Sequence, residues 1–323
     1  MDYHLDILSL VGNTPLVKLS KLAEGVKPLI LCKLEFLNPG GSVKDRIGMA
    51  MIQDAMSKGK LSKGGTVVEP SSGNTGVGLA LGCIKLGLKL VVTMPDKMSD
   101  EKRRLLEAYG AKVIVCPTNR PPGDPEQYIS VAERICEETP NAFMPNQYKN
   151  PVNPLVHYQT TGKEIWDQTQ GEITHFVAGV GTGGTISGGA KFLKEKNPKI
   201  RVVGVDPEGS VYYYRLNRQS TPSLHQYKIE GIGEDFVPDT VDLSVIDEIV
   251  QVTDKEAYQT ARRLAREEAL LAGSSSGAAV AGAIKVASNL TKDDLIVTIL
   301  PDRGERYLSK LYNDEWMKAQ GFL

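Results

Sequence analysis

Lys44 lies at a position where its amine could act as a nucleophile. Residues 38–46, with the sequence NPGGSVKDR, contain two glycines that permit a tight turn and Ser42, which can cap a following helix. Lys44 would then fall in the first helical turn, where the positive end of the helix dipole disfavours the ammonium form. A neutral amine suits Schiff-base chemistry with an aldehyde. Taken alone, the segment is more typical of a solvated lysine beside Asp45 and Arg46.

A second candidate site is the hydroxyl-rich segment Glu69–Gly76, with the sequence EPSSGNTG. It follows a predicted strand and begins a predicted helix that is rich in small residues. Hydroxyls and free amide N–H groups at the start of a helix bind carboxylates and phosphates. A helix cap would account for one serine or asparagine. It would not account for the larger polar set, which comprises Ser71, Ser72, Asn74 and Thr75. The segment therefore predicts an anion site.

The segment Gly179–Thr185 can be interpreted in two ways. Its sequence, GVGTGGT, matches the dinucleotide pattern G-x-G-x-x-G, and Asp206 ends the next predicted strand about 20 residues later. That combination indicates a nicotinamide-dependent oxidoreductase. The extra glycine, Gly183, together with Thr182 and Thr185 would instead form a cup of N–H and hydroxyl donors for one phosphate monoester. This segment alone leaves both interpretations open.

A fourth segment of small residues, Ala272–Ala279, also begins a predicted helix. Small residues allow helices to pack closely, and that is one interpretation. The other is a binding role, in which a serine hydroxyl hydrogen-bonds a ring nitrogen of a ligand.

These segments lie between strands and helices that alternate along the chain. The predicted strands are Leu29–Glu35, Thr66–Glu69, Lys89–Met94, Lys112–Val115, His175–Val180, Arg201–Asp206, Glu248–Thr253 and Leu295–Leu300. The predicted helices are Val43–Lys58, Thr75–Leu86, Asp100–Tyr109, Pro125–Glu138, Leu155–Gln168, Thr185–Lys194, Lys255–Glu268 and Ser276–Ser288. Several strands are apolar throughout, as expected when helices cover both faces of a parallel sheet. The pattern predicts an α/β doubly wound architecture with two sheets, in which ligands bind at the carboxyl ends of the strands.

Composition and charge argue against several classes of protein. The 323 residues include 38 Lys and Arg against 39 Asp and Glu, which leaves no field to attract nucleic acid or an anionic membrane. No apolar run approaches the roughly 20 residues that span a bilayer, and the N-terminus does not resemble a signal peptide. The four cysteines form no CxxC pair, and the four histidines lack the spacing of metal ligands. We therefore expect a cytoplasmic protein of one large or two moderate domains, without a metal site.

Three further segments bear on domain organisation. Leu37–Ser42 is rich in turn residues, and Asn141–Pro154 interrupts helical periodicity with three prolines. Both indicate domain boundaries. Glu208–Pro238 has little periodicity and contains three consecutive tyrosines, Tyr212–Tyr214. We expect it to be an ordered excursion on the surface.

Taken together, the motifs resemble those of the fold type II pyridoxal 5′-phosphate enzymes and, within them, the cysteine synthase and cystathionine β-synthase family. The resemblance runs from about Leu5 to Leu323. In family order the motifs are VGNTPLV, NPGGSVKDR, EPSSGNTG, MPDKMSDEKRR, GVGTGGT, GVDPEGS, EGIGEDFVP, AGSSSGAAV and ILPD. Several motifs in one order are more specific than any of them alone. The resemblance explains GxGxxG without a dinucleotide.

The resemblance implies two doubly wound α/β domains with the active site between them. Residues 1–40 would belong to a large domain, residues 41–145 would form a small mobile substrate domain, and residues 146–323 would complete the large domain that binds the cofactor's phosphate. A homodimer is also implied. The resemblance covers the catalytic core only, without the haem-binding extension and the regulatory region of the animal enzymes. Haem is therefore not expected.

The resemblance also assigns roles to individual residues. Lys44 would be the catalytic residue and form a Schiff base with pyridoxal 5′-phosphate. Asn74 would hydrogen-bond the cofactor's 3′-oxygen, and Ser275 would face its pyridine nitrogen. The phosphate would be held by Gly181, Thr182, Gly183, Gly184 and Thr185. The substrate-binding residues would be Ser71, Ser72, Thr75, Gln147, Tyr148 and Gly231.

The implied reaction is a β-replacement on a small amino acid. L-serine, an activated serine or cysteine would condense with L-homocysteine to give cystathionine, and cysteine as first substrate would release hydrogen sulfide. Details such as Tyr148 and Lys97 favour this activity, whereas Glu234, where the animal enzymes have tyrosine, leaves the second substrate open. The alternatives are a cysteine synthase that uses O-acetylserine and sulfide, a nicotinamide-dependent oxidoreductase, and an inactive relative that serves as a binding partner.

Overall fold

The structure of the chain, a computed structural model, describes residues 1, 3–71, 73–96, 98–121, 123–220 and 224–323. It divides into two compact units. Unit 1 comprises Met1–Val11 and Asn38–Val152, and unit 2 comprises Gly12–Leu37 and Asn153–Leu323. Three segments that were expected in the large domain belong to unit 1 instead, namely residues 1–11, 38–40 and 146–152.

Polar contacts within unit 1 hold the first and the last of these segments. The Asp6 carboxylate pairs with the Lys85 ammonium at 3.0 Å, which ties the N-terminal segment to this unit. The buried carboxylate of Glu69 accepts hydrogen bonds from the backbone N–H groups of Asn146 and Gln147 at 2.8 and 3.1 Å. Residues beyond position 145 are therefore held by the strand that ends near Glu69. Neither contact could be inferred from the composition of the surrounding sequence.

Strands and helices alternate along most of the described chain. The strands are β1 (Leu16–Lys18), β2 (Leu29–Leu34), β3 (Thr66–Pro70), β4 (Lys89–Pro95), β5 (Lys112–Cys116), β6 (Ala142–Phe143), β7 (His175–Gly179), β8 (Arg201–Pro207), β9 (Glu248–Val252) and β10 (Leu295–Leu300). The α-helices are α1 (Lys44–Ser57), α2 (Asn74–Leu86), α3 (Asp100–Ala108), α4 (Tyr128–Glu138), α5 (Val152–His157), α6 (Lys163–Gln168), α7 (Gly184–Lys196), α8 (Tyr212–Leu216), α9 (Asp254–Glu267), α10 (Ser274–Ala287) and α11 (Asp314–Ala319).

Local signals in the sequence explain several of these boundaries. Helix α9 begins with a capping box, in which the Thr253 hydroxyl accepts from the Glu256 N–H and the Glu256 carboxylate accepts from the Thr253 N–H. Helix α2 ends at Gly87, whose φ of 66° is left-handed and suits glycine. Helix α7 begins after Gly183, which also has a left-handed φ of 79°. Each signal lies within one turn of the boundary that it determines.

Unit 1 is built on a four-stranded parallel sheet with the order β5-β4-β3-β6. All residues of β3 are buried, as are all but the first of β4. That pattern is expected for parallel strands that helices cover on both faces. A small apolar cluster, formed by Val68, Val91 and Ala132, lies between the sheet and α4. The sheet therefore places the loops after β3 and β4 at one edge, where the strands end.

Unit 2 is built on a six-stranded sheet with the order β1-β2-β10-β7-β8-β9. Strand β1 pairs antiparallel with β2, and the other neighbours pair in parallel. Most of α10 is buried, and its alanines and glycines allow the helix to pack closely. Gly277 shows how closely, because a Cβ there would lie 2.0 Å from the carbonyl oxygen of Ala257 in α9. The small residues of Ala272–Ala279 therefore do serve packing.

The expected helix Leu155–Gln168 is interrupted in the structure. Helices α5 and α6 are separated by a π-helical turn over Tyr158–Gly162. The Thr160 hydroxyl donates to the carbonyl oxygen of Val156 at 2.6 Å, which competes with the regular helical bonding. At Gly162 a Cβ would lie 3.1 Å from the carbonyl oxygen of Gly189 in α7. The π-helical turn thus lies where α7 passes close to this part of the chain.

The expectation that Glu208–Pro238 is a surface excursion is wrong for several of its described residues. Its first part forms α8, whose Tyr212 is fully buried in the core beside β7 and β9. Further along, Ile229 and Ile232 are buried in the other large apolar cluster of unit 2. These buried residues are too widely spaced along the sequence to produce a periodic apolar pattern.

The described residues lack two features, a membrane-spanning helix and a cluster of metal ligands. No helix among them is both long enough and apolar enough to cross a bilayer. Nor do any three or more of their His, Cys, Asp and Glu side chains lie together as ligands for a metal ion would.

Candidate functional site

Lys44 is the first residue of α1 and is half-buried among buried neighbours. Its backbone N–H donates to the Ser42 hydroxyl at 3.3 Å, although the residue directly before the helix is Val43, which makes no side-chain cap bond. Asp45 and Arg46 are only 1% and 3% exposed. The Asp45 carboxylate accepts from the Gly40 N–H at 2.6 Å and so holds the turn before the helix. The segment is therefore not the solvated surface that its charges alone would indicate.

Glycines bring α2 directly against the start of α1. A Cβ at Gly78 would lie 2.4 Å from the carbonyl oxygen of Lys44, and a Cβ at Gly48 would lie 2.3 Å from the carbonyl carbon of Gly78. Real Cβ atoms do not approach backbone atoms so closely, so only glycine fits at both positions. The small residues of α2 thus position Lys44 within unit 1, next to the helix that Asn74 begins.

The loop between β3 and α2 is organised by Ser71. The buried Ser71 hydroxyl accepts from the backbone N–H groups of Gly73 and Gly76 at 3.2 and 3.3 Å. Gly73 has a φ of 139°, which an L residue rarely adopts. The half-buried Asn74 follows as the first residue of α2. The predicted site residue Ser72 and the family-typical Lys97 lie outside the described residues.

Gln147 belongs to the same polar cluster, although it lies far along the sequence. The Thr75 hydroxyl donates to Oε1 of Gln147 at 2.6 Å, and Gln147 is 6% exposed. This bond joins the loop after β3 to residues 146–148, where Tyr148 is half-buried. The structure therefore joins Gln147 to Thr75, next to the loop that Ser71 organises.

Glu69 holds this cluster in place, and the sequence analysis did not identify it. Its fully buried carboxylate accepts from the N–H groups of Asn146 and Gln147. Burial raises the pKa of the Glu69 carboxyl to about 7, although the two hydrogen bonds from the backbone act to lower it. The sequence signal that could have identified Glu69 is a carboxylate near the end of a buried strand. Such a group must find buried hydrogen-bond donors.

In unit 2 the segment from Gly181 to Thr185 leads from β7 into α7. The first amide N–H groups of an α-helix have no partner within the helix and point outward from its N-terminus. The buried Thr182 hydroxyl accepts from Nδ2 of Asn153 at 3.0 Å, which leaves its own proton available to donate. At Gly184 a Cβ would overlap the Asn153 side-chain oxygen, so a larger residue would displace Asn153.

Thr185 is held by a buried histidine, His157, at the end of α5. Its hydroxyl lies 3.2 Å from Nε2 of His157, and Nδ1 of the same ring lies 2.9 Å from the Thr161 hydroxyl. Thr161 belongs to the π-helical turn between α5 and α6. That turn therefore orients a hydroxyl of the predicted phosphate cup through His157, a contact that spacing along the sequence does not reveal.

Gly231 and Ser275 adjoin the cup within unit 2. A Cβ at Gly181 would lie 2.5 Å from the carbonyl oxygen of Gly231, and a Cβ at Gly231 would lie 3.9 Å from the Ser275 hydroxyl. Ser275 is 2% exposed in the first turn of α10, whereas Gly231 is exposed. The structure therefore groups Gly181, Gly231 and Ser275, which the sequence predicted separately.

Asp206 does not have the role that a dinucleotide site would require. Its carboxylate is fully buried and accepts from the Tyr213 N–H at 3.0 Å at the start of α8. Burial raises the pKa of Asp206 to about 6, while a hydrogen bond from Ser210 acts to lower it. A ribose-binding acid must reach the ligand's hydroxyls from the end of its strand. The buried position of Asp206 excludes that contact.

Each unit presents its own set of donor groups. In unit 2, hydroxyls and helix N–H groups without a nearby dinucleotide acid suit a phosphate monoester, and the buried Ser275 hydroxyl suits a neutral ring nitrogen. In unit 1, a lysine amine lies beside hydroxyl and amide groups that suit a carboxylate. These residues fit a phosphorylated aldehyde cofactor that reacts with amino acids.

Known proteins are similar in sequence to this chain over most of its length. The sequence profile of the family described as "Pyridoxal-phosphate dependent enzyme" matches residues 7–302. Cystathionine beta-synthase from Apis mellifera is 48% identical over 98% of this chain and 63% of its own length. The Saccharomyces cerevisiae protein of the same name is 45% identical over 98% of this chain and 64% of its own length. The chain thus spans about three fifths of the length of these curated relatives.

One solved structure covers nearly the whole chain. The crystal structure of O-acetylserine dependent cystathionine beta-synthase from Helicobacter pylori is 39% identical to this sequence, with a TM-score of 0.88. The match covers 96% of this chain and 99% of that protein. Similarity in sequence and in fold therefore extends over both units.

Proposed function

We propose, from the premise that this chain belongs to the family of pyridoxal-phosphate dependent enzymes, that it catalyses β-replacement on a small amino acid. The fold type II architecture with parallel sheets, the cofactor pyridoxal 5′-phosphate and the resemblance to cystathionine β-synthase, all predicted from the motifs, are confirmed. The observation that carries the proposal is the solved relative, because it matches the chain almost from end to end and is named for its reaction.

Each predicted site residue keeps its role as part of this proposal. Lys44 would hold the cofactor's aldehyde covalently and Asn74 its 3′-oxygen. The cup from Gly181 to Thr185 would hold the phosphate, with Ser275 at the ring nitrogen. The buried Thr182 hydroxyl and the orientation of Thr185 by His157 support the cup. When bound, the cofactor withdraws electrons from the α-carbon of the amino acid.

The side chains of unit 1 then do the rest of the chemistry. The hydroxyls of Ser71 and Thr75 and the amide of Gln147 bind the substrate's α-carboxylate and fix the direction of its α-carbon. The Lys44 amine, which the substrate's own amine would displace from the cofactor, would then be free to remove the α-proton, and the β-substituent would leave with its bonding electrons. A thiol then adds to the β-carbon, and Lys44 returns a proton to the α-carbon. The neutral Ser275 does not supply the negative charge that would keep the ring nitrogen protonated, which favours elimination.

For the substrates we propose L-serine, O-acetylserine or cysteine as the donor of the carbon skeleton and L-homocysteine as the thiol. The names of the curated relatives favour cystathionine as product. The solved relative is named as O-acetylserine dependent, which favours an activated serine. A cysteine synthase that couples O-acetylserine to sulfide is the second candidate, because it would use the same activated donor. Release of hydrogen sulfide from cysteine is part of the first proposal.

Product analysis distinguishes the two candidates. The purified protein is incubated with each of serine, O-acetylserine and cysteine, combined with either homocysteine or sulfide, and the products are identified by mass spectrometry. Cystathionine formed with homocysteine as thiol supports the first proposal. Turnover with sulfide alone would replace it by the second. A colourless protein that binds labelled NAD would refute both.

We further propose a homodimer in a reducing, cytoplasmic compartment. The four cysteines, Cys32, Cys83, Cys116 and Cys136, are free thiols that are buried or half-buried, as expected where disulfides do not form. Burial raises the pKa of the Cys83 thiol to about 12, so it stays protonated and unreactive. Light scattering of the purified holoprotein tests the homodimer, and a monomeric mass would contradict it.

A further inference from the structure

The tyrosine run that the sequence could not place makes one contact with the phosphate cup. Tyr212 is fully buried at the start of α8, and its hydroxyl donates to the carbonyl oxygen of Gly181 at 2.5 Å. Gly181 is the first residue of the cup. The contact lies within unit 2 and links two segments that are 31 residues apart.

A second hydroxyl makes the equivalent contact one residue further along. The buried Thr240 hydroxyl donates to the carbonyl oxygen of Thr182 at 2.6 Å. Two successive carbonyl groups of the cup are therefore held by side chains that come from outside it. Both donors belong to the chain between β8 and β9, and neither is among the residues to which the proposed chemistry assigns a role.

The planarity of the peptide bond converts these contacts into an orientation of N–H groups. In a trans peptide the carbonyl of one residue and the N–H of the next point in opposite directions. No cis bond occurs among the described residues, so the rule applies to this loop. A carbonyl of Gly181 held by Tyr212 fixes the N–H of Thr182 on the opposite side. In the same way Thr240 fixes the N–H of Gly183.

Tyr212 is itself firmly positioned. Its neighbour Val211 donates its N–H to the carbonyl oxygen of Glu234 at 3.1 Å, and the Tyr213 N–H donates to the buried Asp206 carboxylate. The Tyr212 ring belongs to the apolar cluster that also contains Val180 and Ile249. The backbone hydrogen bonds on either side of Tyr212 and the packing of its ring therefore fix the position of its hydroxyl beside Gly181. This gives the buried Asp206 a structural purpose as the anchor of α8.

We propose that Tyr212 and Thr240 are positioning residues for the cofactor's phosphate, because they aim the N–H groups of Thr182 and Gly183 into the cup. The inference rests on the proposed placement of the phosphate at Gly181–Thr185. Neither residue touches the phosphate. Each acts through the peptide group that it holds, so its loss changes how well the N–H donors are aligned and leaves the donors themselves in place.

The test compares Tyr212→Phe and Thr240→Val with two controls. Tyr214→Phe removes a hydroxyl from the neighbouring half-buried tyrosine, and Thr240→Ser keeps the hydroxyl that the proposal requires. The cofactor is removed from each protein and titrated back while its visible absorption is followed. The ³¹P resonance of the bound phosphate is then recorded on the reconstituted protein, and the melting temperature is measured with and without cofactor.

We expect the dissociation constant for pyridoxal 5′-phosphate to rise by up to roughly 5- to 140-fold in Tyr212→Phe and Thr240→Val, the range that corresponds to a buried carbonyl that has lost its donor. Their ³¹P resonances should shift or broaden, and both controls should match the unchanged protein. The stabilisation by added cofactor should fall in the same two variants. A purely structural role would lower the melting temperature without changing either the affinity or the resonance.

Each outcome has one meaning. Affinities within twofold of the unchanged protein together with an unaltered ³¹P resonance would overturn the inference. If Tyr212→Phe does not fold, Thr240→Val and its serine control decide the question alone. An unchanged protein that fails to bind the cofactor would overturn the proposed function instead, so the two failures are distinguishable.

Discussion

Replacing Glu69 by glutamine should make stability less sensitive to pH. Glutamine has the shape of a protonated glutamate but cannot ionise. Burial raises the pKa of the Glu69 carboxyl from 4.5 to about 7, so the fold favours the protonated form. One pKa unit corresponds to about 1.36 kcal/mol. Over this interval the linked change in the free energy of unfolding is therefore about 3 kcal/mol.

The sign of this contribution follows from the direction of the pKa change. A carboxyl with a raised pKa stabilises the fold fully below its unfolded pKa of 4.5, and this contribution is lost as the pH rises through about 7. The glutamine variant cannot ionise at this position, so its stability does not fall in this way as the pH rises. At pH 4.5 the variant and the unchanged protein should have similar free energies of unfolding, and at pH 8 the variant should have gained about 3 kcal/mol relative to the unchanged protein.

Urea denaturation at half-unit steps between pH 4.5 and pH 8 measures this difference. Glu133→Gln, at an exposed position on α4, is the matched control and should show no such trend. A second readout is the KM for the amino-acid substrate. It should rise in Glu69→Gln because a glutamine side chain offers one acceptor where the N–H groups of Asn146 and Gln147 need two. A free-energy difference that is the same at every pH would refute the reasoning.

Three further predictions concern the proposed site. Lys44→Ala should abolish turnover and the covalent trapping of the cofactor by borohydride. Its stability should change little, because Lys44 is only half-buried. Mass spectrometry locates the trapped adduct in the unchanged protein, and normal turnover in the variant would contradict the assignment. Ser275→Ala should reduce kcat less than Lys44→Ala does, because its hydroxyl adjusts the ring and transfers no proton from the α-carbon; steady-state kinetics would contradict this if both variants were equally inactive. Gly78→Ala should lower the free energy of unfolding by about 1–3 kcal/mol, because the new Cβ would lie 2.4 Å from the Lys44 carbonyl oxygen. Urea denaturation measures the change. An unaltered midpoint would show that α1 and α2 can separate at no cost.

The elements and their loops could be predicted from the sequence because their signals are local. Apolar runs of strand length, helix periodicity and glycines at turns each depend on residues within a few positions. Strand β10 was predicted with its observed bounds, and β2 and β7 to within one residue. The motif order then led to the family, although the GxGxxG segment alone left two interpretations open.

The contacts that complete the site could not be predicted in this way. Glu69 and Gln147 are 78 residues apart, and Tyr212 and Gly181 are 31 apart. No periodic pattern connects such pairs, because packing of the strands and helices decides which side chains meet. The same holds for His157, whose ring contacts Thr185 on one side and Thr161 of the π-helical turn on the other.

The amino-acid sequence by itself determined which groups are available for chemistry: a lysine at a helix start, hydroxyls with glycines, and small residues where helices cross. These follow from residue type and short-range backbone preference. Only the tertiary structure decided how those groups are aimed, and which buried carboxylate performs which task. Desolvation and hydrogen bonding depend on neighbours distant in the chain, and for this reason Glu69 became a support of Gln147 while Asp206 became the anchor of α8.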